Sequence, residues 1–255
     1  MKIIVCCKIV PDEEEIRVLP DRSLELSSAP WKISQYDLNA LESGRQLAAE
    51  TKGTVTALSV GGSAALDSTK IRKDVLSRGT DDLKLVIDDS HSFSDSLETA
   101  KALAAALKAC GEFDVALCGM GSSDLYLQES GIQAGALLGL PVVNNVTAIR
   151  PADEGKLEVE RTLEEEVETL EITLPAVLSV SSEINVPSVP AMREIMRAGK
   201  KPVAVLDQPD GLGTPGLETL AQLAPEQQER RQEVIEGDGE EAVEALAQFL
   251  KKECL

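Results

Sequence analysis

Two periods of apolar and polar positions alternate along this chain. KIIVCCKIV (2–10) is a near-continuous, β-branched run, the pattern of a strand buried on both faces of a parallel sheet. After an acidic loop, IRVLPDRSLEL (16–26) reads as a hairpin turning at Pro20 and Asp21. YDLNALESGRQLAAE (36–50) is an amphipathic helix, with Ser34 as its cap and Asp37 three residues on. TVTALSV (54–60) is a strand, and GGSAALDS turns into a helix ending near Gly79. LKLVID (83–88), SDSLETAKALAAALKAC (94–110) and FDVALCGM (113–120) then read as strand, helix and strand. Behind them LYLQESGIQAGALLGL (125–140) carries apolar residues at helical spacing, stopping at Gly139 before Pro141. Repeated units of this kind predict an α/β fold, a parallel sheet covered by helices on both faces.

The pattern changes near residue 142. VVNNVTAIR, KLEVERTL and TLEITLPAVLSV are strand-like runs with short polar connections, read as an antiparallel meander extending the sheet. In INVPSVPAMREIMRAGKKP (184–202), Pro187 and Pro190 enforce an extended path before a short helix that Gly199 ends. Residues 203–232, rich in Pro, Gly and Gln, read as a connector, and the following segment as an amphipathic arm reaching toward another subunit. The expected organisation is an α/β domain over 1–183, an exposed segment over 184–202, and a connector with a helical arm over 203–255.

Charge narrows the partners. The net charge of −19 repels a phosphodiester backbone and an anionic membrane surface. Only six aromatic residues are present (Trp 1, Tyr 2, Phe 3), too few for a base-stacking platform. A small ligand or a protein partner is expected instead of nucleic acid. The N-terminal apolar run breaks at Pro11, unlike a secretory signal, and no apolar run is long enough to span a bilayer, so a cytoplasmic location without membrane insertion is expected. None of the five cysteines forms a CxxC pair, and they read as buried, inert thiols.

The candidate chemistry lies in CGMGSSDLYLQESG, Cys118 to Gly131. A strand, a small polar turn and a helix in that order make an anion cradle, because Gly119 and Gly121 admit close backbone approach and the first helical amides point outward unpaired. There is no GxSxG elbow, no GxGxxG after the first strand and no Walker-type GKS/T. The single histidine, His91, sits in a polar loop and is given no catalytic role.

The most specific signal is VERTLEEEVETLEITLPAVLSV (159–180): Val-Glu-Arg, an acidic cluster, Glu-Thr-Leu, then Leu-Pro-Ala-Val. With CCKIVPDE, KISQYDLNALESG (32–44), TALSVGG, KDVLSRGTDD (73–82), the GMGSSD region and REIMRAGKKP, it resembles the electron transfer flavoprotein β subunit over roughly residues 1–205. The branch it is most similar to is the Fix-type, carnitine-reduction-associated group.

The resemblance implies an adenine-nucleotide α-hydrolase-like fold, related to the universal-stress proteins, that clamps a nucleotide without reacting with it. That nucleotide is AMP in the well-known members and FAD in the electron-bifurcating ones. Its contacts carry over to Cys6, to Ser34, Gln35, Tyr36 and Asp37, to Val60 and Gly61, and to Gly119, Met120, Gly121, Ser122, Ser123, Asp124, Gln128, Ser130 and Gly131. The redox FAD is held mainly by an α subunit. The implied role is that of a carrier subunit, not an independent catalyst, moving electrons from acyl-CoA-type or other flavin dehydrogenases to a quinone oxidoreductase or reductase. The docking leucine of the family aligns with Met192. The resemblance has departures: relative to bifurcating members the loop keeps Asp124, Gln128 and Gly131 but lacks a threonine and carries the bulky Tyr126, and Glu13 stands where the AMP-type members have an aromatic near the flavin. A universal-stress-type sensor or scaffold is the alternative from another class. It would need only the first five strands, and leaves the acidic hairpin, proline-containing arm and C-terminal helix unexplained.

Overall fold

The computed structural model describes residues 1–91, 93–207, 217, 219–226 and 234–254. The strands are β1 (Lys2–Cys6), β2 (Ile9–Pro11), β3 (Arg17–Val18), β4 (Leu24–Glu25), β5 (Trp31–Ile33), β6 (Thr54–Gly61), β7 (Asp82–Ile87), β8 (Val115–Gly119), β9 (Val142–Pro151), β10 (Lys156–Thr162), β11 (Val167–Thr173), β12 (Ala176–Val180) and β13 (Val203–Val205). The helices are α1 (Gln35–Thr51), α2 (Ser63–Leu66), α3 (Thr69–Ser77), α4 (Ser96–Ala109), α5 (Ser130–Leu138), α6 (Met192–Ala198) and α7 (Glu240–Cys254). The α/β class expected from the periodicity is the one observed.

Among the described residues nine strands form the main sheet, in the order β11-β10-β9-β12-β8-β1-β6-β7-β13. Pairing is parallel from β9 through β13 and antiparallel only where β10 and β11 extend the edge. Alternation along β1 divides the core. Ile3 and Val5 join Leu41, Leu47, Ile71 and Val75 on the α1/α3 side, while Ile4 and Cys6 join Leu103, Leu107 and Ala134 on the α4/α5 side. That is why β1 reads as continuously apolar: both its faces are covered.

Several boundaries differ from the sequence reading. TLEITLPAVLSV is not one strand of a meander; it breaks at Leu174-Pro175, a cis peptide, and β12 inserts parallel between β8 and β9. Val203–Val205 is no connector but the parallel edge strand beside β7; residues 208–216, 218 and 227–233 lie outside the described residues. The helix before Gly79 is two, because Ser68 accepts the Ile71 N–H and starts α3 anew. α5 begins at Ser130, not at Leu125, leaving 120–129 as a loop in which Tyr126 (φ 50°) and Gln128 (φ 61°) are left-handed.

Candidate functional site

The chain builds outward from β1 through β6 to β7, then returns to the other side of β1 with β8. This reversal opens a crevice at the carboxyl ends of β1 and β8, the place where ligands bind in open parallel sheets. A cavity of about 110 Å³, open to solvent, occupies it. Of the residues singled out from sequence, Cys6, Asp37, Val60, Gly119, Met120, Gly121, Ser122, Gln128, Ser130 and Gly131 line this cavity. Ser34, Gln35, Tyr36, Gly61, Ser123 and Asp124 stand outside its lining, and Met192 belongs to α6.

Asp37 organises the crevice. From the first turn of α1 its Oδ2 accepts the Lys8 N–H at 2.7 Å and its Oδ1 accepts the Gly119 N–H at 3.0 Å. It therefore ties the chain leaving β1 to the end of β8, the two strands that flank the reversal. Its neighbour in spacing, Ser34, is fully buried, and the Ser34 Oγ accepts the Ser123 N–H at 3.3 Å. The capping pair expected from Ser34 and Asp37 is thus not formed: Ser34 is the N-cap residue, but its side chain makes no cap hydrogen bond. Both side chains serve the loop instead. Burial pushes the Asp37 carboxyl up to about 7, against the lowering effect of the two amides and Lys8. Gly119 is required here because a Cβ would lie 2.7 Å from both Asp37 Oδ1 and the Tyr36 carbonyl carbon.

The floor is neutral. Cys6 and Cys118 stand side by side on β1 and β8, and the Cys6 thiol is pushed well up by its hydrogen bond with Cys118 and by burial. Burial raises Cys7 as well. Cys6 and Cys7 thus stay protonated thiols. Cys110 is free and half-buried; the Cys254 side chain lies outside the described residues. Val60, Phe93 and Leu103 add an apolar wall. His91, whose Nδ1 lies 2.9 Å from Asp88 Oδ2, belongs to the loop that brings Phe93 to this wall.

The rim is a loop fastened at several points. Lys8 Nζ donates to both oxygens of Asp124, at 2.8 and 2.6 Å, and although burial acts against it, the ammonium holds the Asp124 carboxyl below the ordinary aspartate value. The Tyr36 and Tyr126 rings lie 5.2 Å apart. Asp124 thus acts through Lys8 without lining the cavity. Sequence reasoning missed Cys7, Lys8, Phe93, Thr99, Leu103 and Ser179, all of which line it. The available signal was topological: loops after parallel strands gather at one sheet edge, so the residues following β1 and preceding α4 had to converge there.

Gly121 calls for a correction. The space that its missing side chain leaves is filled by the Tyr126 ring, whose atoms would lie 2.5 and 2.7 Å from an added Cβ. Closeness to Tyr126, rather than room for a phosphate, fixes glycine here. Gly121→Val is expected to dislodge the loop, costing about 1–2 kcal/mol and weakening ligand retention. Adding Tyr126→Ala to that variant should restore much of both in urea unfolding and in calorimetric titration with adenosine and AMP. Failure of the second substitution to rescue binding would return the space to the ligand.

Among the described residues no helix is long and apolar enough to cross a membrane. Residues 23–211, from the β3–β4 hairpin through β13, match the profile of a family of flavin-dependent electron carriers, and the chain is a member of that family, described as the electron transfer flavoprotein domain.

Proposed function

We propose that this chain is the β subunit of a heterodimeric electron transfer flavoprotein, of the Fix-type branch. The observation that carries the reading is a cavity at the reversal of the sheet whose two charged anchors, Asp37 and Lys8, hold backbone or another side chain. Asp37 binds two amides and Lys8 binds Asp124, an arrangement suited to static binding rather than turnover. The residues present fit an adenylyl group: apolar walls for a base and small polar side chains at Ser122 and Ser130 on the rim. AMP or the adenylyl half of an FAD would occupy it. The redox FAD, which supplies the electron-carrying chemistry, is held mainly by the α subunit, so the chain is a carrier subunit and not an independent catalyst.

Two uncovered apolar surfaces support a role in assembly. Val186, Val189, Met192 and Met196 are exposed around α6, and Val243, Leu246, Phe249 and Leu250 along α7. We assign α7 to the α subunit and the α6 region to a flavin dehydrogenase, with a quinone oxidoreductase or reductase as acceptor. Expressed alone, the chain should be colourless; co-purified with its α subunit, the complex should be yellow and should release one FAD from the α subunit on acid treatment, counted by chromatography. A yellow monomer holding one FAD per isolated chain would overturn this assignment in favour of a flavin site in the β subunit.

A further inference from the structure

The turn between β7 and α4 closes over two buried acids. Asp88 follows β7 and Glu98 lies in the first turn of α4. Between them stands His91, the single histidine of the chain. Its Nδ1 lies 2.9 Å from Asp88 Oδ2, and its Nε2 lies 3.5 Å from Glu98 Oε1.

The other acids of the turn are committed elsewhere. Asp89 Oδ1 accepts the Ser63 N–H at 2.7 Å, and Asp95 Oδ1 accepts the Leu97 and Glu98 amides at 2.8 and 3.4 Å. From β6 comes the uncharged Gly61, whose carbonyl accepts the Asp88 N–H at 3.0 Å. Asp88 Oδ1 takes the Ser90 hydroxyl and amide, and these bonds together with His91 hold the Asp88 carboxyl below the ordinary aspartate value, although burial opposes them. Asp88 is thus an acceptor only, and Nδ1 brings the hydrogen. Nε2 is left facing Glu98. Neither Glu98 oxygen has a hydrogen-bond partner among the described residues, and no lysine or arginine pairs with either acid there. Two orphaned oxygens on a buried side chain call for an explanation. One proton between Nε2 and Oε1 supplies it, whichever atom carries it. Without that proton an imidazole lone pair points at a buried carboxylate.

The same turn places Phe93. Its backbone is left-handed at φ 52°, a state that a bulky side chain keeps only where its neighbours hold it. The Phe93 carbonyl accepts the Thr99 hydroxyl at 3.2 Å, and its ring lies 6.0 Å from the imidazole. The side chain is buried against Val60 and lines the cavity.

We propose that the proton shared by His91 and Glu98 positions this wall: while it is in place Phe93 is held in the cavity lining, and its loss releases Phe93 and weakens the seat of the ligand. His91 is a positioning residue, standing outside the lining itself. The protonated pair favours the placed turn, so the effect is full at acid pH and fades as pH rises through the titration of the pair. Only the ligand readout rests on the nucleotide-site reading above.

The test uses the full-length chain without a histidine tag, in which one histidine and three phenylalanines make both partners readable by NMR. From about pH 5 to about pH 9, enclosing the range where histidine ordinarily changes charge, the imidazole nitrogens report the proton. Fluorophenylalanine, with the position 93 signal assigned by Phe93→Leu, reports the wall. That signal should be shielded from a soluble paramagnetic reagent at acid pH and broadened several-fold by it at alkaline pH, with the midpoint of the imidazole. In Glu98→Gln both midpoints should move together to lower pH, and in His91→Gln the fluorine signal should no longer respond to pH. AMP affinity is read calorimetrically as wild type relative to His91→Gln, which cancels the titrations of the phosphate and of Asp37; the ratio should fall about tenfold across the same interval. A fluorine signal equally shielded at every pH, a midpoint unmoved by Glu98→Gln, or an AMP ratio level with pH would overturn the inference and leave the nucleotide site standing. AMP binding to neither protein would overturn the nucleotide-site reading, and the fluorine titration would then decide the wall by itself.

Discussion

Asp37→Ala should destabilise the chain by about 2–5 kcal/mol and empty the cavity. Each of two backbone N–H groups, Lys8 and Gly119, loses its acceptor, and an unsatisfied buried donor costs about 1–3 kcal/mol. Asp37 is only 6% exposed, so water cannot readily replace it. With the tie gone, the ends of β1 and β8 are free to separate, and they form the floor of the cavity. Asp37→Asn should fall between, since it keeps one acceptor but turns an N–H against an N–H. The carboxyl also leaves a pH signature. Its folded value of about 7 lies above the ordinary 3.8, so the folded chain holds the proton over that interval while the unfolded chain releases it. Its contribution therefore favours the folded state most at acid pH and declines as pH rises from about 4 to 7, by on the order of 1 kcal/mol per unit at its steepest, then stays flat. Urea unfolding of wild type minus Asp37→Asn between pH 5 and 8 isolates this slope. A difference that is level with pH, or a loss under about 1 kcal/mol in Asp37→Ala, would show that the carboxylate is not the tie described.

The same residue shows what the sequence could and could not convey. Ser34 and Asp37, three apart before an apolar helix, are the ordinary sign of a capping pair, and they do stand at a helix start. Nothing local reveals that their acceptors are taken by residues from 8 to 123, because that depends on β8 returning beside β1. The βα units were legible since each rests on its own periodicity. Placement of β12 was not, because parallel pairing with β8 and β9 is a long-range choice without local code. In LYLQ the helical spacing was genuine but misleading: Leu125 and Leu127 face the cavity from a loop whose left-handed residues carry no glycine to announce them. Val203–Val205 was hidden by the composition that follows it, yet its pairing with β7 is what closes the sheet edge. The acidic run 163–168, the core of the family signature, is indeed a solvated hairpin end. Its neighbours are ion pairs across strands, such as Arg161 with Glu168 at 2.6 Å and Lys156 with Glu171 at 2.5 Å, each contributing little alone.

Electron transfer to a partner dehydrogenase should weaken sharply when the α6 segment loses its apolar tip. Met192 is 73% exposed, so it is not packed on the sheet, and Val186 and Val189 are more exposed still, at 89% and 91%. Side chains this apolar and this uncovered are unusual unless something docks on them. Their base is rigid. Asn185 Nδ2 donates to Ser43 Oγ at 2.8 Å and to the Asn39 carbonyl at 3.1 Å, and Asn39 Nδ2 returns a bond to the Asn185 carbonyl at 2.8 Å. Ser188 donates to Glu42, whose buried carboxyl would rise with burial but is held near 2 by Arg45, Ser188 and Gln46. Prolines 187 and 190 limit what remains, so little conformational entropy is lost on docking. Beside the tip stand Arg193, Arg197 and Lys200, all exposed on a chain of net charge −19. This local reversal of sign suits an acidic partner surface and should make the association rate fall with salt. Met192→Ala should cost about 1–3 kcal/mol of docking, and Val189→Ser with Met192→Ala about 2–4 kcal/mol, with melting temperature and cofactor content unchanged. The measurement is electron-transfer rate against dehydrogenase concentration, at low and high salt, beside a melting curve. A lowered melting temperature with unchanged half-saturation would place these side chains in the fold and the docking surface elsewhere.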